Sequence, residues 1–146
     1  MTPAQTDLLI PSSIVAAILK HCRAEAPIEA CGLLGGPSAL RASSHYPLRN
    51  ELASEVRYLG HAQDMIEAVL TMRARNERLV AIYHSHPASP AIPSRVDLEG
   101  NQYGPVPHLI VSLAAPAPEI RAWRLESTRF EELRWREVVE PESSTQ

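Results

Sequence analysis

The sequence contains no apolar stretch approaching the roughly 20 residues that would cross a bilayer as a helix. Its first residues, Met-Thr-Pro-Ala-Gln-Thr-Asp, lack the basic segment of a secretory signal, so a cytoplasmic location is the expectation. No run of Lys or Arg occurs, and 14 basic against 17 acidic residues leave a net charge of −3. A nucleic acid partner is therefore not expected. There are two cysteines, Cys22 and Cys31, and no CxxC pair, so there is no disulfide framework. Both read as small buried hydrophobes in a reducing compartment. The turn Gly35-Gly36-Pro37-Ser38 lacks the glycine pattern and lysine of a phosphate loop. No GxSxG occurs and neither cysteine sits in a motif, which removes the usual signatures of an acyl-enzyme mechanism. Internal repeats and linkers are also absent.

What is present is 146 residues, 45% of them hydrophobic and 21% charged, enough for one domain with one core. The expected domain is the whole chain, 1–146, with its core at about 8–138 and loose ends at 1–7 and 140–146. Leu8-Leu9-Ile10 reads as a strand, and Pro11-Ser12-Ser13 as a helix start capped by serine. Ile14, Val15, Ile18, Leu19 and Cys22 follow at helical spacing, Pro27 ends the helix, and His21 falls in its last turn, where a cation suits the dipole. Glu29 to Gly36 reads as a central strand, Leu40 to Tyr46 as a second and Val56 to Leu59 as a third. Between about Gln63 and Arg78, Met65, Ile66, Val69, Leu70 and Met72 make an apolar helical stripe with the arginines largely off it. His108 to Leu113 reads as a buried strand, followed by two alternating strands, Glu119–Glu126 and Phe130–Trp135, that finish the sheet antiparallel. The fold class is α/β, a mixed sheet flanked by helices. His45, His61 and His108 read as ordinary.

The chemistry concentrates between Leu79 and Asp97. Leu79 to Tyr83 is a short apolar run, expected as a buried strand, and it ends in His84-Ser85-His86-Pro87. Residues i and i+2 of a strand share a face, so the imidazoles of His84 and His86 can reach one metal ion. Six residues after Pro87 are passed before Ser94, and Asp97 stands three beyond it. Ser94 can cap a helix opening there, which sets Asp97 in the first turn as a third, oxygen ligand. Two histidines and one carboxylate leave a position open, the composition of a catalytic rather than a structural zinc site. Upstream, Glu29 heads Glu-Ala-Cys-Gly-Leu-Leu-Gly-Gly. A carboxylate at a buried strand is costly unless paired or used, and from that segment alone a solvated strand-end Glu is the simpler reading.

Taken together, His84-Ser85-His86-Pro87, Ser94, Asp97 and the upstream Glu29 resemble the JAMM (MPN-plus) metalloprotease family. The resemblance runs over nearly the whole chain and implies the MPN architecture, a relative of the cytidine-deaminase fold. It implies one catalytic zinc ion held by His84, His86 and Asp97, with Glu29 as the general base and Ser94 donating a hydrogen bond to the developing oxyanion. The implied reaction is hydrolysis of an amide or isopeptide bond after the C-terminal Gly-Gly of a ubiquitin-like or sulfur-carrier protein. Glycine is the residue able to bring its backbone through a narrow groove. The short connections of this chain resemble the compact prokaryotic branch. Asn50 stands where the family often has an Asn near the site, and it reads equally as a turn former. Two other readings stay open at this level: a non-catalytic MPN scaffold for partner proteins, and a zinc peptidase acting on small peptides. Oligomerisation has no readable signal.

Overall fold

The structure, a computed structural model, describes residues 6–101 and 103–139. Of the ends expected to be loose, 1–7 and 140–146, residues 1–5 and 140–146 lie outside the described residues. The elements in order are β1 (Leu8–Pro11), α1 (Ser12–Glu25), β2 (Cys31–Gly36), β3 (Ser44–Leu48), α2 (Ala62–Ala74), β4 (Arg78–His86), α3 (Arg95–Glu99), β5 (His108–Ser112), β6 (Glu119–Leu125), β7 (Phe130–Leu133) and β8 (Trp135–Val138).

The apolar run Leu79–Tyr83 lies within β4, where every residue from Val80 to His86 is buried. It needs to be apolar on both faces because it sits inside the six-stranded sheet, whose order is β3-β2-β4-β5-β6-β7. The β4–β5 pairing is parallel and all others in this sheet are antiparallel. A parallel step requires a crossover, and the segment that supplies it carries α3 and with it Asp97. The sheet is therefore mixed, as expected, and its last strands are antiparallel.

Alternation along β4 divides the interior in two. Ala81 and Tyr83 face α1 and the β1–β8 ribbon, in a core with Leu8, Ile10, Ile14 and Ile18. Ile82 faces the other way, toward Leu33, Leu48, Ala68 and Met72. Each fully buried aliphatic side chain of this kind contributes about 1.5–3 kcal/mol. The α1 stripe buries Ile14, Val15, Ile18 and Cys22 as its spacing demands. Both cysteines are buried thiols.

Several expected elements differ. The N-cap of α1 is Pro11 without a side-chain cap bond, and the Ser12 hydroxyl instead donates to Val138 O at 3.3 Å, tying the helix to β8. The second strand begins at Ser44 rather than Leu40, because residues 37–43 bend back over Gly36 through a Ser38–Arg41 bridge. Val56–Leu59 is not a strand; it belongs to a loop closed by an Asn50–Gly60 bridge. The C-terminal pattern holds a further strand, β8, which leaves the main sheet and pairs parallel with β1. On α2 the sheet meets Ala68 and Met72, with Met65 packed beside them, while Ile66, Val69 and Leu70 stay 53%, 42% and 57% exposed. The expected stripe was too wide: Ile66 sits roughly a third of a turn, and Leu70 nearly half a turn, from the line that touches the sheet.

His21 departs most from expectation. Its ring is not a solvated cation at the helix end; Nδ1 lies 2.6 Å from the Tyr83 hydroxyl, and His45 Nε2 lies 2.7 Å from the same oxygen. One hydroxyl donates to one imidazole and accepts from the other, so both rings stay neutral. Burial lowers the pKa of His21, against the raising effect of Glu25. Burial and then His21 lower that of His45 to about 4. The Tyr83 ring covers Gly32, where a Cβ would come within 2.3 Å of it.

Tyr83→Phe removes the shared partner of both rings, and an unsatisfied buried polar group costs about 1–3 kcal/mol. The expected result is a loss of that size in urea unfolding with metal content unchanged, because Tyr83 faces away from His84.

Candidate metal centre

The register of β2 on β4 pairs Cys31 with His84. Beyond the last pair, Ser85 N donates to Ala30 O at 3.0 Å and Ala30 N donates to the Ser85 hydroxyl at 2.8 Å. Ser85 points to the opposite face from its two histidine neighbours and bolts the residue after Glu29 to the metal-facing strand. His84 and His86 are thereby presented on one face at the end of β4, at 0% and 4% exposure.

Asp97 arrives from α3. The Ser94 hydroxyl accepts from Asp97 N at 3.1 Å, and Ser94 N donates to Asp97 Oδ2 at 2.8 Å, a reciprocal capping box. Asp97 is consequently fixed by the same contact that starts its helix. Its Oδ1 stands 3.1 Å from His84 Nε2 and its Oδ2 3.0 Å from His86 Nε2, while the two imidazole nitrogens are 3.1 Å apart. All three residues are buried and form a group able to hold a metal ion.

The donor set fits zinc. Ligands at about 2.0–2.1 Å around a tetrahedral ion stand roughly 3.3 Å apart, and the three donors converge to within a few tenths of an ångström of that. His86 Nδ1 lies 2.7 Å from Pro90 O, which draws the ring proton to Nδ1 and leaves the Nε2 lone pair facing the other donors. Burial alone would raise the Asp97 carboxyl, but the hydrogen bonds of His84 and His86 outweigh it and hold the carboxyl well below its usual range. Burial works to lower His86, and its bonds to Asp97 and Pro90 together overcome that and raise it. Two imidazoles and a carboxylate brought this close are stable with a cation, or shared protons, between them.

Glu29 is 3% exposed and its Oε1 has no hydrogen-bond partner among the described residues. Burial raises its pKa to about 8, with His86 pulling it down and Asp97 pushing it up. Glu29 lies one residue beyond the Ala30–Ser85 bonds, at the register position opposite His86. Asn50 Nδ2 donates to Glu29 O and to Arg57 O, each at 3.0 Å, and Asn50 Oδ1 accepts from Leu52 N and Leu59 N at 3.1 Å. Asn50 thus both shapes its loop and steadies the Glu29 backbone. Cys31 shares the face of His84, but its Sγ lies 4.0 and 3.9 Å from the Leu48 and Arg49 carbonyls, and burial, then Glu29, push its thiol up to about 12. It stands outside the ligand set.

Three residues at the site were not anticipated. Ser85 had a signal, since the residue between two same-face histidines must point to the other side. Pro90 and Tyr58 had none. Tyr58 stacks on His84 with ring centroids 4.7 Å apart and planes 23° apart. It also lines a groove with Leu52, Leu59, Val96 and Tyr103 that reaches Asp97. His108, expected to be ordinary, is buried with Nδ1 lacking a partner among the described residues, and its Nε2 lies 3.2 Å from Asn101 Oδ1.

Residues 11–126 match the family described as prokaryotic homologs of the JAB domain. The CysO-cysteine peptidase of Mycobacterium tuberculosis is 33% identical over 120 residues, covering 81% of this chain and 82% of its own length. The desampylase of Pyrococcus furiosus is 36% identical over 120 residues, covering 82% of each. A protein from Desulfitobacterium hafniense, solved in solution, superposes with a TM-score of 0.83 at 30% identity over 92% of this chain and 94% of its own. With this match spanning both the histidine pair and Glu29, the chain belongs to the prokaryotic JAB (JAB/MPN) domain family, the one its motif resembles.

Proposed function

We propose that this protein is a zinc-dependent hydrolase of the JAMM type that cleaves the amide or isopeptide bond after the C-terminal Gly-Gly of a ubiquitin-like or sulfur-carrier protein. The observation that carries this reading is the convergence of His84, His86 and Asp97 within 3.0–3.1 Å of one another, with the buried carboxyl of Glu29 alongside. The names of the mycobacterial and archaeal relatives, a peptidase for CysO-cysteine and a desampylase, support the same class of substrate. The full ligand set also favours catalysis over a scaffold role.

His84, His86 and Asp97 would hold a zinc ion, which when bound would supply Lewis acidity to the attacking water and the scissile carbonyl. Glu29 takes the proton of the attacking water and returns it to the departing amine. A carboxyl raised to about 8 by burial sits near enough to neutrality to do both. The Ser94 hydroxyl spends an acceptor position on Asp97 N and keeps its hydrogen to donate to the carbonyl oxygen as negative charge develops there. The apolar walls of the groove, Leu52, Leu59, Val96 and Tyr103, suit an extended tail of small residues approaching Asp97.

The direct test is mass spectrometry of a ubiquitin-like carrier bearing an amine on its C-terminal Gly-Gly, incubated with zinc-loaded protein. Release of the amine with a free Gly-Gly end is expected; an intact conjugate in the presence of stoichiometric zinc would sink the proposal. His84→Ala and Asp97→Ala should each lose the metal on dialysis, as read by elemental analysis, and full occupancy in either removes that residue from the ligand set. Ser94→Ala should retain zinc and lower turnover about 10²–10³-fold, the cost of one oxyanion donor elsewhere.

Glu29→Gln should keep zinc and lose turnover. It also isolates a pH effect in the metal-free protein. The native Glu29 holds its proton up to about 8, against a reference value of 4.5. Its contribution to stability is therefore fully present below the reference value and is lost as pH rises through about 8. In chelator, urea unfolding should find Glu29→Gln gaining on the wild type between pH values of about 5 and 8.5. A constant difference would mean that Glu29 is solvated and ionised throughout.

A further inference from the structure

The two histidines of the cluster are oriented by different means. His86 has the Pro90 carbonyl 2.7 Å from Nδ1. His84 Nδ1 is buried and has no hydrogen-bond partner among the described residues. A metal-binding imidazole ordinarily passes its second N–H to an acceptor, and that bond fixes its tautomer and ring angle. His84 has an aromatic face there instead: the Tyr58 ring lies over it, centroids 4.7 Å apart and planes only 23° from parallel. That separation is within the stacking range of aromatic pairs.

We propose that Tyr58 is a positioning residue for the metal centre, its ring standing in for the missing hydrogen bond and holding His84 in the plane that aims Nε2 at His86 and Asp97. The proposal rests on the metal-centre reading above and adds to it a residue from outside the motif.

A clamp of this kind must itself be held. Tyr58 is not itself part of a helix or strand, since it lies in the loop between β3 and α2. The Asn50 side chain bonds to Arg57 O on one side of Tyr58 and to Leu59 N on the other, at 3.0 and 3.1 Å. The same Asn50 reaches Glu29 O at 3.0 Å, so one amide sets the backbone on which both Glu29 and Tyr58 are mounted. The Tyr58 ring packs in the cluster that contains Leu33, Met72 and Tyr103, which restricts its own rotation. Holding by a ring face also does not depend on the hydroxyl. Phenylalanine should therefore serve, whereas an aliphatic side chain of similar volume should not.

The test is a zinc titration against a competing chelator for the wild type, Tyr58→Phe and Tyr58→Leu, with circular dichroism as a check on folding. Tyr58→Phe is expected to bind within about threefold of the wild type. Tyr58→Leu is expected to bind about 10–100-fold more weakly, the usual cost of losing an outer partner of a metal ligand. Wild-type affinity in Tyr58→Leu overturns the proposal, and so does an equal loss in both variants, which would assign the effect to the hydroxyl. A second readout needs no metal: the His84 ring protons in the nuclear magnetic resonance spectrum of the chelated protein. They should carry an upfield ring-current shift in the wild type and in Tyr58→Phe. An unshifted His84 in the wild type overturns the proposal even where Tyr58→Leu fails to fold. If the wild type takes up no zinc, the metal reading fails, and the ring shift still decides whether Tyr58 holds His84.

Discussion

The antiparallel register of β2 against β4 is the constraint on which the site depends. Cys31 opposite His84, continued by the paired bonds between Ala30 and Ser85, brings Glu29 to the end of the strand that carries both histidines. Side chains alternate with a period of two, so a slip of one residue would turn His84 and His86 into the α1 core and Tyr83 toward the metal face. The slip is opposed from both sides. Tyr83 has its hydroxyl between His21 and His45 and its ring on Gly32, while Ile82 fills the opposite core. The residues that look structural are thus what keeps the chemical ones in place.

The third candidate donor, Asp97, is placed by a different constraint. The parallel β4–β5 step needs a crossover, and within it a single capping box both starts α3 and locks the Asp97 carboxylate toward the histidines. Ser94 serves that local geometry and still has a hydrogen to donate. Electrostatics then divide two carboxyls in one small volume. Asp97 is held ionised by His84 and His86, and Glu29, without such bonds, is pushed toward the neutral form by burial. Groups of the same type separated in this way by their surroundings are suited to separate tasks, one binding a cation and one carrying a proton.

The grouping of His84, His86 and Asp97 was legible because each part of it is local. Histidines two apart at the end of an apolar run share a face, and a serine three residues before an aspartate makes a cap; neither depends on distant chain. The buried helix stripe of α1 and the apolar run of β4 were legible for the same reason. The errors fell where local pattern and tertiary cover part company. The stripe on α2 mixed residues that meet the sheet with Ile66 and Leu70, which do not. Val56–Leu59 has strand-like composition but forms no strand, since the Asn50 side chain takes Arg57 O and Leu59 N for its own bonds.

By itself the sequence determined the donor types, their common face, the capped turn that offers Asp97, and a mixed α/β order of elements, because short-range geometry and hydrophobic spacing suffice for these. Only the tertiary structure decided that Glu29 is buried rather than solvated at a strand end, that Tyr58 lies on His84, and that β8 leaves the sheet to pair with β1. Those contacts join residues far apart in the chain, and their energies come from burial and register that no local pattern encodes.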